Sequence, residues 1–245
     1  MTKLNWVPKG ITVILSYLLA SASAGKLLVF DKVFDKVFQT AVFDNLLVIC
    51  LILFILYIII EFTIYFRNND KKLKTQCNNI CRYVYKYIEK HMGENFVHAC
   101  RITIFKAMRQ NTEKVYLEAI SRYQIKEPYK KARITFRPGE GAVGKCFEIQ
   151  ALILACLPDY NKDYARYCEE SNNVYKLDEQ KVEKLNVKSC LFLCIPIKYF
   201  DTEKTWGVLV LDSTIKDTRL DEEFARGVEE IIGHYTVFFT EGEKQ

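Results

Sequence analysis

The residues best placed to do chemistry gather around one glycine-rich loop, Arg137-Pro138-Gly139-Glu140-Gly141-Ala142-Val143-Gly144, which leads into a short helix expected over Val143 to Glu148. Glycines permit positive φ and close backbone approach, and a helix opened by such a loop presents unpaired N–H groups and the positive end of its dipole. An anion could sit there, and a plain turn with a helix cap is the competing reading. The loop is not a P-loop, because Lys145 is not followed by Ser or Thr after a Gly-x4-Gly spacing. Arg133 and Arg137 flank it, and Arg is the side chain that meets phosphate bidentately. Other chemistry is scarce. His91, His98 and His234 form no spaced ligand or triad pattern, Cys77 and Cys81 have no matching Cys/His pair, and no paired carboxylates stand out. The expectation is no catalytic residue, no metal and no cofactor. Nine cysteines, an odd number without a paired framework, suit a reducing compartment.

Membrane elements precede this loop. A run from Leu46 to Ile60, continued beyond Glu61 through Phe62 to Phe66, is long enough to cross a bilayer as a helix, giving an expected span near 45–66. An earlier apolar run, near 9–30, reads as a retained first span with Lys26 snorkelling, or as a signal peptide with Ala22-Ser23-Ala24-Gly25 as its cleavage site. Between them Asp31-Lys32-Val33-Phe34-Asp35-Lys36-Val37-Phe38 is a tandem repeat that suits an interfacial helix or a solvated turn. Glu61 is either a boundary residue that snorkels or a carboxylate facing its copies or a water path. Arg67, Lys71, Lys72 and Lys74 follow the second span, so the positive-inside rule predicts a cytoplasmic C-terminal part in a cell inner membrane, single-pass or multi-pass.

The chain therefore divides into a membrane region, 1–70, a connecting amphipathic helix, 71–92, and a cytosolic domain, 93–245. Leu73, Cys77, Ile80, Val84 and Ile88 recur at intervals of three and four, a stripe that would pack on the domain or on a second copy. Extended segments are expected over Phe96 to Phe105, Val115 to Ser121 and Arg133 to Phe136, with an apolar stretch Ala151 to Leu157 and a polar helix ending at Glu170. Two strands, Cys190 to Tyr199 and Trp206 to Asp212, precede a terminal helix from Leu220 to about Phe238 that buries Phe224, Val228, Ile231 and Tyr235. This order argues an α+β domain with an antiparallel sheet flanked by helices, preceded by two transmembrane helices.

Three motifs, Pro138 to Lys145, Cys194-Ile195-Pro196-Ile197 and Trp206 to Ser213, resemble those of GAF domains, sensor modules related in shape to PAS domains. The resemblance covers roughly residues 73–239. It implies a pocket between the sheet and the short middle helices, and by placement on the family pattern Gly141, Gly144, Phe147, Leu157, Asp159, Tyr160, Tyr175, Ser189 and Cys190 fall near it, with Arg133 and Arg137 beside the loop. GAF domains bind cyclic nucleotides, other small molecules or tetrapyrroles, or only another protein. The Asn-Lys-x3-Phe-x3-Asp-Glu arrangement of phosphodiesterase GAF domains is absent. Asp212-Ser213-Thr214 is similar to the strand end of free-methionine-sulfoxide reductases, whose chemistry needs a Cys in the segment that here runs from Asp178 to Ser189 and has none. An enzyme is therefore not expected.

The net charge of +5 is spread over interspersed Lys and Glu, which does not argue for nucleic acid, and most of the surplus can be assigned to the membrane-proximal segment; no nucleic-acid partner is expected. The expected partners are the lipid bilayer, a small-molecule ligand and further copies of the chain. The layout resembles membrane effectors of bacterial anti-phage systems that signal with cyclic nucleotides. The expected function is a sensor that binds a nucleotide second messenger and repacks its transmembrane helices to disrupt the membrane. A tethered interaction module without ligand, and a redox sensor acting through Cys146 or Cys190, are the other readings.

Overall fold

The computed structural model describes residues 41–110, 114–124, 135–200 and 202–239. The first expected span, the tandem repeat and Arg133 lie outside them. The chain forms two compact units, Met1–Arg67 and Asn68–Gln245.

Helix α1, Ala41–Met92, contains neither Gly nor Pro, so nothing in its backbone chemistry interrupts it over 52 residues. In the first unit the side chains from Leu51 to Phe66 are exposed on all sides, Glu61 alone being half-buried. Thr63 is accommodated by donating its hydroxyl to the Ile59 carbonyl at 2.7 Å. By length and composition this helix can cross a bilayer, and among the described residues it is the one that can.

In the second unit, the later turns of α1 bury Cys77, Ile80, Cys81, Val84 and Ile88 completely. The apolar stripe is consumed by the domain's own core, which leaves it unavailable to a second copy. The helix stops at Gly93, whose φ of 83° is left-handed, and Arg219 caps its last turn by donating to the His91 and Met92 carbonyls at 3.4 and 2.9 Å. A second short helix, α2, Glu94–His98, follows and buries Phe96 and Val97. The extended segment expected from Phe96 therefore begins only at Cys100; aromatic and β-branched composition does not separate one buried helical turn from a strand.

The sheet has five antiparallel strands, β1 Cys100–Gln110, β2 Lys114–Tyr123, β3 Ile153–Cys156, β4 Leu191–Lys198 and β5 Thr205–Ser213, in the order β2-β1-β5-β4-β3. All nine residues of central β5 are buried, so both its faces are covered. One face packs on α1 and on α6, Glu222–Gly233; the other packs under α3 Gly141–Ile149, α4 Tyr164–Tyr175 and α5 Glu179–Lys184. Pro196 is tolerated in β4 because β3 reaches only as far as Cys194, so β4 is already an edge there. Helix α6 begins where Asp221 accepts from the Phe224 N–H at 2.9 Å and buries Phe224, Ala225, Val228 and Ile232. It ends at Gly233, short of the expected limit. Ile231 and Tyr235 are half-buried rather than buried, and a 3₁₀ turn, Thr236–Phe238, carries the chain on.

Candidate functional site

Alternation along β1 sends Ile102 and Ile104 to the core beneath α1 and turns Arg101, Thr103 and Phe105 to the other face. There they form the floor of a cavity of about 730 Å³, together with Arg122 of β2, Phe192 of β4, and Val210 and Asp212 of β5. Its roof is the first turn of α3, residues Gly141, Ala142 and Val143, and one face of α4, on which Tyr167, Ser171 and Tyr175 recur every four residues. Lys184, the last residue of α5, and Leu185 to Val187 after it complete the rim.

An ionic network stiffens the floor. Arg101 donates from Nε and Nη2 to the two carboxylate oxygens of Asp212, at 3.0 and 2.6 Å, and Ser189 Oγ donates to Asp212 Oδ2 at 2.5 Å. Tyr167 extends the network by donating its hydroxyl to the Ser189 carbonyl at 3.0 Å. The pair is enclosed, its side chains 16% and 3% exposed, and the fork-on-fork geometry is the strong form of this contact. Arg122 is held by its own bond, from Nε to Thr103 Oγ1 at 3.2 Å. Three cations and one carboxylate thus line a cavity otherwise walled mostly by aromatic and aliphatic side chains, with Thr103, Ser171 and Asn186 as further polar members. Ser171 Oγ, buried in that wall, has no hydrogen-bond partner among the described residues.

The glycine loop positions the roof. Gly139 N–H donates to the Gly144 carbonyl at 2.8 Å, and Glu140 folds back to accept from the Arg137 N–H at 2.9 Å. Glu140 also pairs with Lys181, tying the loop to α5. A Cβ on Gly144 would lie 2.0 Å from the Arg137 carbonyl oxygen, so only Gly fits that close approach. Gly141, at a φ of 67°, rests against the Phe136 ring. The amides of the first turn of α3 have no partner within their helix and lie in the cavity wall, where they favour a negative charge.

Of the residues singled out from sequence, Gly141, Leu157 and Tyr175 line the cavity. Gly144 shapes the loop behind it. Arg137 is exposed and away from the described lining, because the turn at Pro138-Gly139 points its side chain outward while its backbone serves the loop. Phe147 packs half-buried in the core above the sheet. Asp159 accepts from the Asn161 N–H at 3.0 Å, closing the turn before α4. Tyr160 sits edge-on to Tyr164 and Tyr167, under the Lys188 ammonium. Ser189 lies behind the floor as the second donor to Asp212. Cys190 is buried at the start of β4, and Glu61 belongs to the other unit. Sequence reasoning missed Arg101, Arg122, Asp212, Tyr167 and Ser171. Alternation in Cys100-Arg101-Ile102-Thr103-Ile104 marks Arg101 as facing away from Ile102, but a charge so placed reads first as solvent-facing.

The buried thiols are quiet. Burial pushes Cys77, Cys81 and Cys146 up to about 12 and raises Cys190 and Cys194 as well, which disfavours the thiolate that redox or nucleophilic chemistry needs. Among the described residues no cluster of His, Cys, Asp and Glu could hold a metal ion.

No family model and no curated protein matches the chain. Solved structures do resemble it. A type II free methionine-R-sulfoxide reductase from Thermoplasma acidophilum is 12% identical, with 70% of this chain and 94% of that one covered and a TM-score of 0.44. The GAF domain of a two-component sensor histidine kinase from Bacillus halodurans is 16% identical, covering 66% and 91%, at 0.41. A cyanobacteriochrome receptor is 8% identical, covering 71% and 99%, at 0.45.

Proposed function

We propose that the chain is a membrane-anchored, GAF-like sensor whose cytosolic domain binds a nucleotide second messenger in the cavity beneath α3 and α4, and whose transmembrane packing changes in response so that the membrane is disrupted. The observation that carries this reading is the cavity itself. Its 730 Å³ lies within the range of small-molecule sites. Its cations and the first turn of α3 suit a phosphate, and Phe105, Phe136, Tyr175 and Phe192 suit a flat ring. The buried thiols and the absence of a paired acid and base among the lining residues favour a binding role over an enzymatic one. The exposed apolar surface of α1 from Leu51 to Phe66 supports a bilayer partner. Homo-oligomerisation is part of the proposal, because a single apolar helix pair cannot enclose a path for ions.

The test is to purify the full chain in detergent, denature it and analyse the released small molecules by mass spectrometry, beside an Arg122→Gln variant. A nucleotide released by the wild type and reduced about tenfold or more in the variant, the value of one charge-assisted contact, is the expected result. No nucleotide released, together with no thermal stabilisation by any nucleotide supplied, would leave the tethered interaction module as the better account.

A further inference from the structure

One polar group in the cavity wall is left over. Ser171 is 1% exposed and lies one turn from Tyr167 on one side and from Tyr175 on the other. A hydroxyl on a helix ordinarily donates to the carbonyl four residues earlier, as Thr63 does to Ile59. Among the described residues Ser171 Oγ makes neither that bond nor any other. A buried hydroxyl pays its desolvation without return unless a partner is supplied, and buried polar groups are rarely left so. Its polar neighbours are engaged elsewhere: Tyr167 donates its hydroxyl proton to the Ser189 carbonyl, and Asp212 accepts from Arg101 and Ser189.

We infer that Ser171 is the specificity-determining residue of this site, exchanging a hydrogen bond with the polar edge of a ligand's planar heterocycle while Arg122 and Lys184 take its phosphate. The inference rests on the proposed nucleotide reading and deepens it. Around Ser171 the roof and floor are aromatic or aliphatic: Tyr167, Tyr175, Leu177 and Phe192. A flat ring stacks against such faces without regard to its identity. Discrimination between bases must then come from a hydrogen bond that one base edge satisfies and another leaves broken, which is where selectivity between similar ligands is greatest. Ser171 is the unpaired group positioned to do this among the described residues.

The experiment titrates the full chain in detergent with the four 3′,5′-cyclic mononucleotides of adenine, guanine, cytosine and uracil, by calorimetry, in the wild type and in Ser171→Ala. The wild type is expected to prefer one base, and Ser171→Ala to reduce the ratio between the best and worst binder about tenfold. The unliganded unfolding midpoint of Ser171→Ala should not fall, since the substitution removes an unsatisfied hydroxyl. A wild type that binds all four equally, or a ratio unchanged in Ser171→Ala, would overturn the role of Ser171 and leave the nucleotide reading standing. A wild type that binds none of the four would overturn this inference, and one that also releases no nucleotide on denaturation would overturn the nucleotide reading with it.

Discussion

Replacing Arg101 by Met keeps most of the side chain's length and removes its charge, leaving Asp212 enclosed with only the Ser189 hydroxyl as donor. Breaking one side of a buried pair costs about 3–5 kcal/mol, because the remaining charge stays desolvated. The lower end applies here, since the Arg101 side chain is 16% exposed and the adjoining cavity can admit water. A loss of about 3 kcal/mol in a domain of this size lowers the unfolding midpoint by roughly 6–12 °C. Buried Trp206, stacked on Phe239 with ring centroids 4.3 Å apart, gives a fluorescence signal for following thermal unfolding of the full chain in detergent. Asp212→Asn neutralises the carboxylate but keeps its shape, so the double variant Arg101→Met/Asp212→Asn should be more stable than the two single losses predict, by about 1–3 kcal/mol. An Arg101→Met midpoint within 2 °C of the wild type, or strict additivity in the double variant, would refute the account of this pair as the stiffener of the cavity floor.

Gly144→Ala drives a Cβ against the Arg137 carbonyl, a backbone atom that cannot swing away, and should cost about 1–3 kcal/mol, read from the same midpoint. Gly227→Ala meets the Tyr87 side chain, with its hydroxyl at 2.0 Å and Cζ at 2.5 Å; a side chain can swing away, so the loss should be smaller, and Tyr87→Phe should recover it only in part because Cζ stays. Iodoacetamide at pH 8 should label exposed Cys156 readily, while Cys77, Cys81 and Cys146, with thiols near 12, react about a thousandfold more slowly than an ordinary thiol until the domain unfolds; peptide mass spectrometry reads the difference. A reporter active only in the cytoplasm, fused after Gln245, should be active if the cations following the second apolar run set the orientation; activity from an export-dependent reporter instead would reverse it.

The terminal helix and the two long strands before it were legible because their signals are local. Phe224 and Val228 recur at helical spacing, and Leu191 to Lys198 and Thr205 to Ser213 are rich in strand formers despite Pro196, Gly207 and Asp212. The glycine loop was legible as a turn into a helix, and the first turn of that helix does line the cavity. Helix α5 was not read, because six residues with one buried side chain, Val182, give no periodicity; its only mark is Asp178 accepting from the Lys181 N–H. The ionic floor was hidden for another reason. Arg101 and Asp212 are 111 residues apart, and nothing local to either tells that one will neutralise the other. Conversely, Asp159 and Tyr160 have residue types that suit a ligand, yet the backbone around them spends both on the turn before α4 and on its packing.

The order of the strands has a consequence for how the protein is made. The central strand, β5, is the last to be synthesised, and it joins β1 to β4. While residues 101 to 212 emerge from a ribosome, at about 5–20 residues per second, the β1–β2 hairpin and the β3–β4 pair have no shared neighbour. That interval is of order 5–20 s at those rates, and through it the cavity has neither a closed floor nor a partner for Arg101. The turns of α1 leave the ribosome earlier. On this timetable the cavity is completed in a single late step, when β5 pairs with β1 on one side and with β4 on the other.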